Sequence, residues 1–140
     1  MKTISIIFII VTAMISCSRT PDPEAIRKDV FNAEKEFEKM VSEKGIAEAF
    51  YFFADENAVI RRGEDSLIHG KENIKIFYSG RVNPGMQLTW TPEFIEVSEC
   101  GTLAYTYGHY LMKTDSTESK GIFHTVWKRQ KDNSWKYVWD

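Results

Sequence analysis

Between Leu88 and Trp139 apolar and polar residues alternate in runs broken by short polar turns. A period of two held over that length confines the second half of the chain to a β-meander. The runs are Leu88–Val97, Thr102–Lys113, Gly121–Gln130 and Trp135–Trp139, with turns at Glu99-Cys100-Gly101, Asp115–Lys120 and Lys131–Ser134. Pro92 marks the first run as an edge or a bulge, because proline cannot donate to a ladder. The first half follows another period. Ile26, Val30, Ala33, Phe37 and Met40 recur at helical steps after the N-capping pair Asp22-Pro23, and Gly45 ends that long helix. Glu34, Lys35, Glu36, Glu38 and Lys39 are expected on its solvated face. A short helix from Ile46 to about Ala54 carries Phe50 to Phe53 and must wedge into the core. Short strands at Ala58–Ile60 and Leu67–His69 precede a third helix between Gly70 and Gly80. The fold class is therefore α+β, with helices on one face of a mostly antiparallel sheet.

The start of the chain reads as an address. Met1-Lys2-Thr3 is cationic, and Ile4–Ile15 is apolar but shorter than the roughly 20 residues that span a bilayer. Met14-Ile15-Ser16-Cys17 resembles a bacterial lipobox. The expected division is a signal peptide at 1–16, a lipidated tether at 17–23 and a domain at 24–140. Cys17 would carry the lipid, making the bilayer a partner and leaving Cys100 without a disulfide mate. Ser18 in place of Asp resembles the sorting signal of Gram-negative lipoproteins destined for the outer membrane of the cell envelope; the periplasm is the expected side, although Ser18 does not decide it. Eighteen basic against twenty acidic residues exclude a nucleic-acid partner. His69, His109 and His124 are too far apart for a local ligand pair, so no metal is expected, and no cofactor motif is present.

A series of short segments carries a family resemblance: Gly45-Ile46-Ala47-Glu48-Ala49-Phe50, Phe53-Ala54-Asp55-Glu56-Asn57-Ala58-Val59 and Ile68-His69-Gly70-Lys71-Glu72-Asn73-Ile74. Gly108, Val126-Trp127-Lys128 and Ser134-Trp135-Lys136 continue it. Together, over residues 24–140, they resemble the nuclear transport factor 2-like superfamily, which includes SnoaL-like polyketide cyclases and ketosteroid isomerases. The nearest branch is the domain of unknown function numbered 4440, common in bacterial lipoproteins. The resemblance implies a cone-shaped, cystatin-like roll, with a curved sheet wrapped around the long N-terminal helix and a pocket at its mouth. It also implies a homodimer through the convex sheet face.

Within that frame, alternation divides the run 102–113 into two faces. Leu103, Tyr105, Tyr107, His109 and Leu111 form the bulkier one, expected to line the concave side. Tyr105 and Tyr107 would donate hydrogen bonds to a ligand, and His109 is the acid–base candidate, because an unperturbed imidazole changes charge near neutrality. His124, Trp127, Phe50 and Arg61 complete the expected lining, although alternation does not orient His124. Trp127 also suits a core ladder. The family pattern often has an acid where Asp140 stands. The isomerase base would fall where this chain has Arg61 and Arg62, and a guanidinium cannot abstract a proton. That favours a non-catalytic domain holding an unknown small molecule. The alternative is a cofactor-free isomerase, cyclase or hydratase using His109, with Asp140 as its orienting group.

Overall fold

Asp22 caps the longest helix by accepting the Glu24 N–H at 3.0 Å, and Pro23 occupies its first turn, where no amide partner is needed. In the computed structural model, which describes residues 22–81 and 85–140, this helix, α1, spans Pro23–Lys44. The leader, Cys17 and most of the tether lie outside the described residues. Gly45, at φ 86°, takes a backbone conformation that side chains resist and turns the chain directly into α2 (Ile46–Phe53).

The strands are β1 (Ala54–Arg62), β2 (Ser66–His69), β3 (Gln87–Val97), β4 (Leu103–Lys113), β5 (Glu118–Arg129) and β6 (Trp135–Trp139), with α3 (Lys71–Ser79) between β2 and β3. They form one six-stranded sheet in the order β2-β1-β6-β5-β4-β3. The β1–β2 hairpin and the β3–β6 meander are joined by a parallel pairing of β1 with β6. Pro92 sits on edge strand β3, where the register with β4 shifts between Pro92 and Phe94. Opposite it, a Cβ on Gly108 would lie 2.3 Å from the Thr91 carbonyl oxygen and 2.9 Å from the Phe123 ring. Only glycine lets the bulged strand close over β4, and the bulge increases the local twist.

Phe37 of α1 is the hub of the core. Its ring lies 4.8 Å from Phe50, 4.9 Å from Phe53, 5.2 Å from Trp90 and 5.9 Å from Tyr137. Each such pair adds about 0.5–1.5 kcal/mol beyond burial. The sheet thus wraps α1, with α2 and α3 closing one end.

Two placements differ from the sequence expectation. Glu34 is not solvated: it is 1% exposed, inside the stripe of Val30, Ala33 and Phe37. Its helical position places it there regardless of its charge. On β4 the buried residues are Ala104, Thr106 and Gly108, while Leu103, Tyr105, Tyr107 and His109 face outward. Over 104–108 the concave face takes the small residues because large neighbours already fill it there; Tyr110 and Met112, on the same face, line the cavity. Ala104 is registered with buried Trp127, and Gly108 with Phe123 and Pro92.

Candidate functional site

α1, α2, α3 and the concave sheet face enclose a cavity of about 690 Å³. Phe37, Phe50, Phe77, Trp90, Phe123 and Trp139 supply most of its aromatic wall, with Ile46, Leu88 and Met112 between them. Arg61, Gly63 and Arg81, all exposed, stand at its rim. This is the composition expected of a small-molecule pocket, apolar walls with few polar groups.

One polar group is Glu34. Its Oε1 accepts from Thr106 Oγ1 at 2.6 Å and from Trp127 Nε1 at 2.8 Å, and its Oε2 accepts from Trp90 Nε1 at 2.7 Å. Burial raises its pKa, and the three donors pull the other way without cancelling that effect. A carboxyl so placed can hold or release a proton inside the cavity.

The second polar group is a cluster around Arg62. On β1, Ala58 and Ile60 face the core, and Arg62 follows them at the same parity. Its guanidinium pairs with Asp140 Oδ1, donates from Nε to Tyr78 Oη at 2.6 Å, and lies 5.4 Å from the Phe50 ring centroid. Thr125 Oγ1 donates to the other Asp140 oxygen at 3.1 Å. Burial works against the Arg62 charge, but Asp140 outweighs it and holds the guanidinium ionised. Burial raises the Tyr78 phenol above its ordinary value, so it stays protonated. Asp140 is no frayed residue: its N–H donates to Val59 O at 3.1 Å, and its carbonyl accepts from Arg61 N–H at 2.8 Å. These bonds continue the parallel β1–β6 ladder past Trp139.

The expected site residues separate into groups. Phe50 and Asp140 line the cavity. Arg61 borders it, but its side chain is solvated, donating to the Glu64 carbonyl at 2.7 Å and facing Asp65 at 3.9 Å. The inward arginine is its neighbour Arg62. Trp127 is buried in the core and reaches the site through its bond to Glu34 and its edge-on contact with Phe37. Tyr105, Tyr107, His109 and His124 were expected inside and are on the convex face. Tyr105 lies 5.4 Å from the His124 ring and 6.0 Å from Tyr107, and Phe94 stacks on Tyr107 at 5.1 Å. His124, with its ring against Tyr105, is also among the residues that border the cavity. His109 Nδ1 meets Glu93 Oε1 at 2.5 Å on the surface, outside the cavity. Glu34, Arg62, Tyr78 and Thr125 are the residues the sequence reading missed. Parity with Ile60 would have found Arg62, and the α1 stripe would have found Glu34. No group of three or more His, Cys, Asp or Glu stands close enough to hold a metal among the described residues.

No protein-family model and no curated protein matches this sequence. Solved structures do match its fold. An NTF2-like protein with a cystatin-like fold from Novosphingobium aromaticivorans is 17% identical, with a TM-score of 0.68 covering 83% of this chain and 79% of that one. ActVI-ORFA from Streptomyces coelicolor is 13% identical, with a TM-score of 0.63 covering 82% of this chain and 93% of that one. A Catenulispora acidiphila protein in complex with S-DNPA is 14% identical, with a TM-score of 0.64 covering 83% and 90%. The chain has the NTF2-like, cystatin-like fold.

Proposed function

We propose that this chain is a lipid-anchored envelope domain that holds a small, largely apolar molecule in its cone. The observation that carries this reading is the aromatic cavity of about 690 Å³ ending on buried polar groups. A similar structure with S-DNPA in it lends the same fold a ligand-holding precedent. The test is a neutral hydrophobic reporter, N-phenyl-1-naphthylamine, titrated into the folded protein. Saturable fluorescence that Met112→Trp suppresses by filling the cavity supports the reading. Fluorescence indifferent to Met112→Trp contradicts it.

Anchoring rests on Met14-Ile15-Ser16-Cys17, and the outer membrane on Ser18. Cys17→Ser is expected to abolish labelling by a fatty-acid analogue and release the protein from the membrane fraction. The outer sheet face is assigned to a second copy of the chain. There Phe94, Tyr105, Tyr107 and His124 touch one another, with Leu103 and Ile122 exposed on the same face. Contiguous apolar surface of this kind marks association, and a two-fold interface needs only one such patch.

A second reading, cofactor-free acid–base catalysis of the isomerase, cyclase or hydratase type, is favoured by one observation: a buried carboxyl, Glu34, in the cavity wall with a raised pKa. With His109 outside the cavity, the acid–base role in this reading passes to Glu34. Turnover that Glu34→Gln abolishes while ligand affinity persists would establish it.

A further inference from the structure

The hydrogen-bond inventory of the Arg62 cluster is incomplete in one direction. A guanidinium has five N–H groups. Arg62 Nε donates to Tyr78 Oη at 2.6 Å, Nη1 to the carbonyls of Arg61 at 2.7 Å and Asp140 at 3.3 Å, and Nη2 to Asp140 Oδ1. One Nη2 hydrogen has no acceptor among the described residues. Tyr78 Oη accepts from Arg62, and its own hydrogen has no acceptor among the described residues. Tyr78 is 6% exposed, and both residues line the cavity. A buried O–H without an acceptor is costly unless a ligand or water completes it.

We propose that the Tyr78 hydroxyl, seconded by the remaining Nη2 hydrogen of Arg62, is the polar anchor of the cavity and binds a neutral acceptor oxygen, a carbonyl or ether, on an otherwise apolar molecule. This rests on the ligand-binding reading of the cavity. Charge decides for a neutral oxygen. Asp140 already neutralises Arg62, so at this anchor an incoming carboxylate would gain no free cation and would meet the Asp140 and Glu34 carboxyl groups; the cavity's other two arginines, Arg61 and Arg81, stand exposed at the rim, where water screens them. A carbonyl takes the two donors without that repulsion. The aromatic wall of Phe50, Trp90 and Trp139 then covers its ring or chain.

Three probes of one shape class test this: 2-acetylnaphthalene, 2-isopropenylnaphthalene, in which a methylene replaces the carbonyl oxygen, and 2-naphthoate. The folded protein is expected to bind the ketone about tenfold more tightly than the alkene, and more tightly than the carboxylate. Tyr78→Phe should erase the ketone preference while leaving alkene affinity unchanged. A second readout uses the unaltered protein: the carbonyl stretch of bound 2-acetylnaphthalene should fall below its value in an alkane solvent. Equal binding of ketone and alkene, an unshifted stretch, or preferred binding of 2-naphthoate overturns the anchor while leaving the cavity reading standing. Failure of all three probes to bind overturns the cavity reading and the anchor with it.

Discussion

Glu34 concentrates the energetics of the site in one side chain. All three of its protein partners are donors, two of them indoles from different strands. Glu34→Gln keeps the shape but turns an amide N–H₂ toward at least one of those donors. It is expected to cost about 1–3 kcal/mol in mildly acidic solution, measured by urea unfolding. The pH dependence has a defined sign. The folded pKa is raised above 4.5, so between the unfolded and folded values the native state holds the proton more tightly. Stability must therefore fall as pH rises through that window. The wild-type-minus-Gln difference in unfolding free energy is expected to shrink over the same window; a difference independent of pH would contradict the assignment. Asp140→Ala strands the Arg62 guanidinium, which is 28% exposed, and should lower stability by about 2–3 kcal/mol. Both residues show what sequence conveys at this scale. The helical stripe and strand parity place Glu34 and Arg62 inward, but their charge argues for solvent. Only the partners, which come from β3, β4 and β5 for Glu34 and from α3 and the residue after β6 for Arg62, resolve the conflict.

At the scale of elements, periodicity located every helix and strand, and the bulge at Pro92, because each has its own local signal. Alternation could not say which face of β4 turns inward. That choice is made by neighbours: Trp127 and Phe123 on β5 and Pro92 on β3 already occupy one stretch of the concave side, which takes Ala104, Thr106 and Gly108, while Tyr110 and Met112 follow on the same face where it opens into the cavity. Ala104→Leu is accordingly expected to cost about 1–3 kcal/mol by overpacking, whereas Tyr105→Leu on the other face should change stability by less than about 0.5 kcal/mol. Thermal unfolding of the two variants checks the contrast, and the reverse order would return the tyrosines to the inside. The exposed edge of β3 is also managed locally. Trp90 N–H donates to Glu38 Oε1, and the Trp90 carbonyl accepts from Lys35 Nζ, both at 2.9 Å. These two α1 side chains stand where a foreign strand would pair. Removing both, as Lys35→Ala with Glu38→Ala, should raise aggregation measured by light scattering.

The whole molecule is a six-stranded sheet rolled around one helix, and most of that was readable because the segments 24–140 resemble one superfamily in order. The parallel β1–β6 join was not readable. Asp55-Glu56-Asn57 interrupts the apolar pattern of β1, and the pairing is completed through the backbone of Asp140. Assembly belongs to this scale too. Ile122, 70% exposed on the convex face, can become Lys at little cost to folding, and Ile122→Lys should convert a dimer to a monomer in sedimentation of the detergent-solubilised protein. An unchanged mass would remove that face from the interface. The central claim is that the concave cavity, and not the aromatic convex face, receives the ligand. The direct measurement is the aromatic-ring and indole N–H spectrum, which reports the four tryptophans and the tyrosine rings together, during titration with 2-acetylnaphthalene. Saturable shifts are expected at Trp90 and Trp139, which line the cavity, with Trp135 unmoved. Shifts confined to the rings of Tyr105 and Tyr107, or no saturable shift at either cavity tryptophan, would contradict the account.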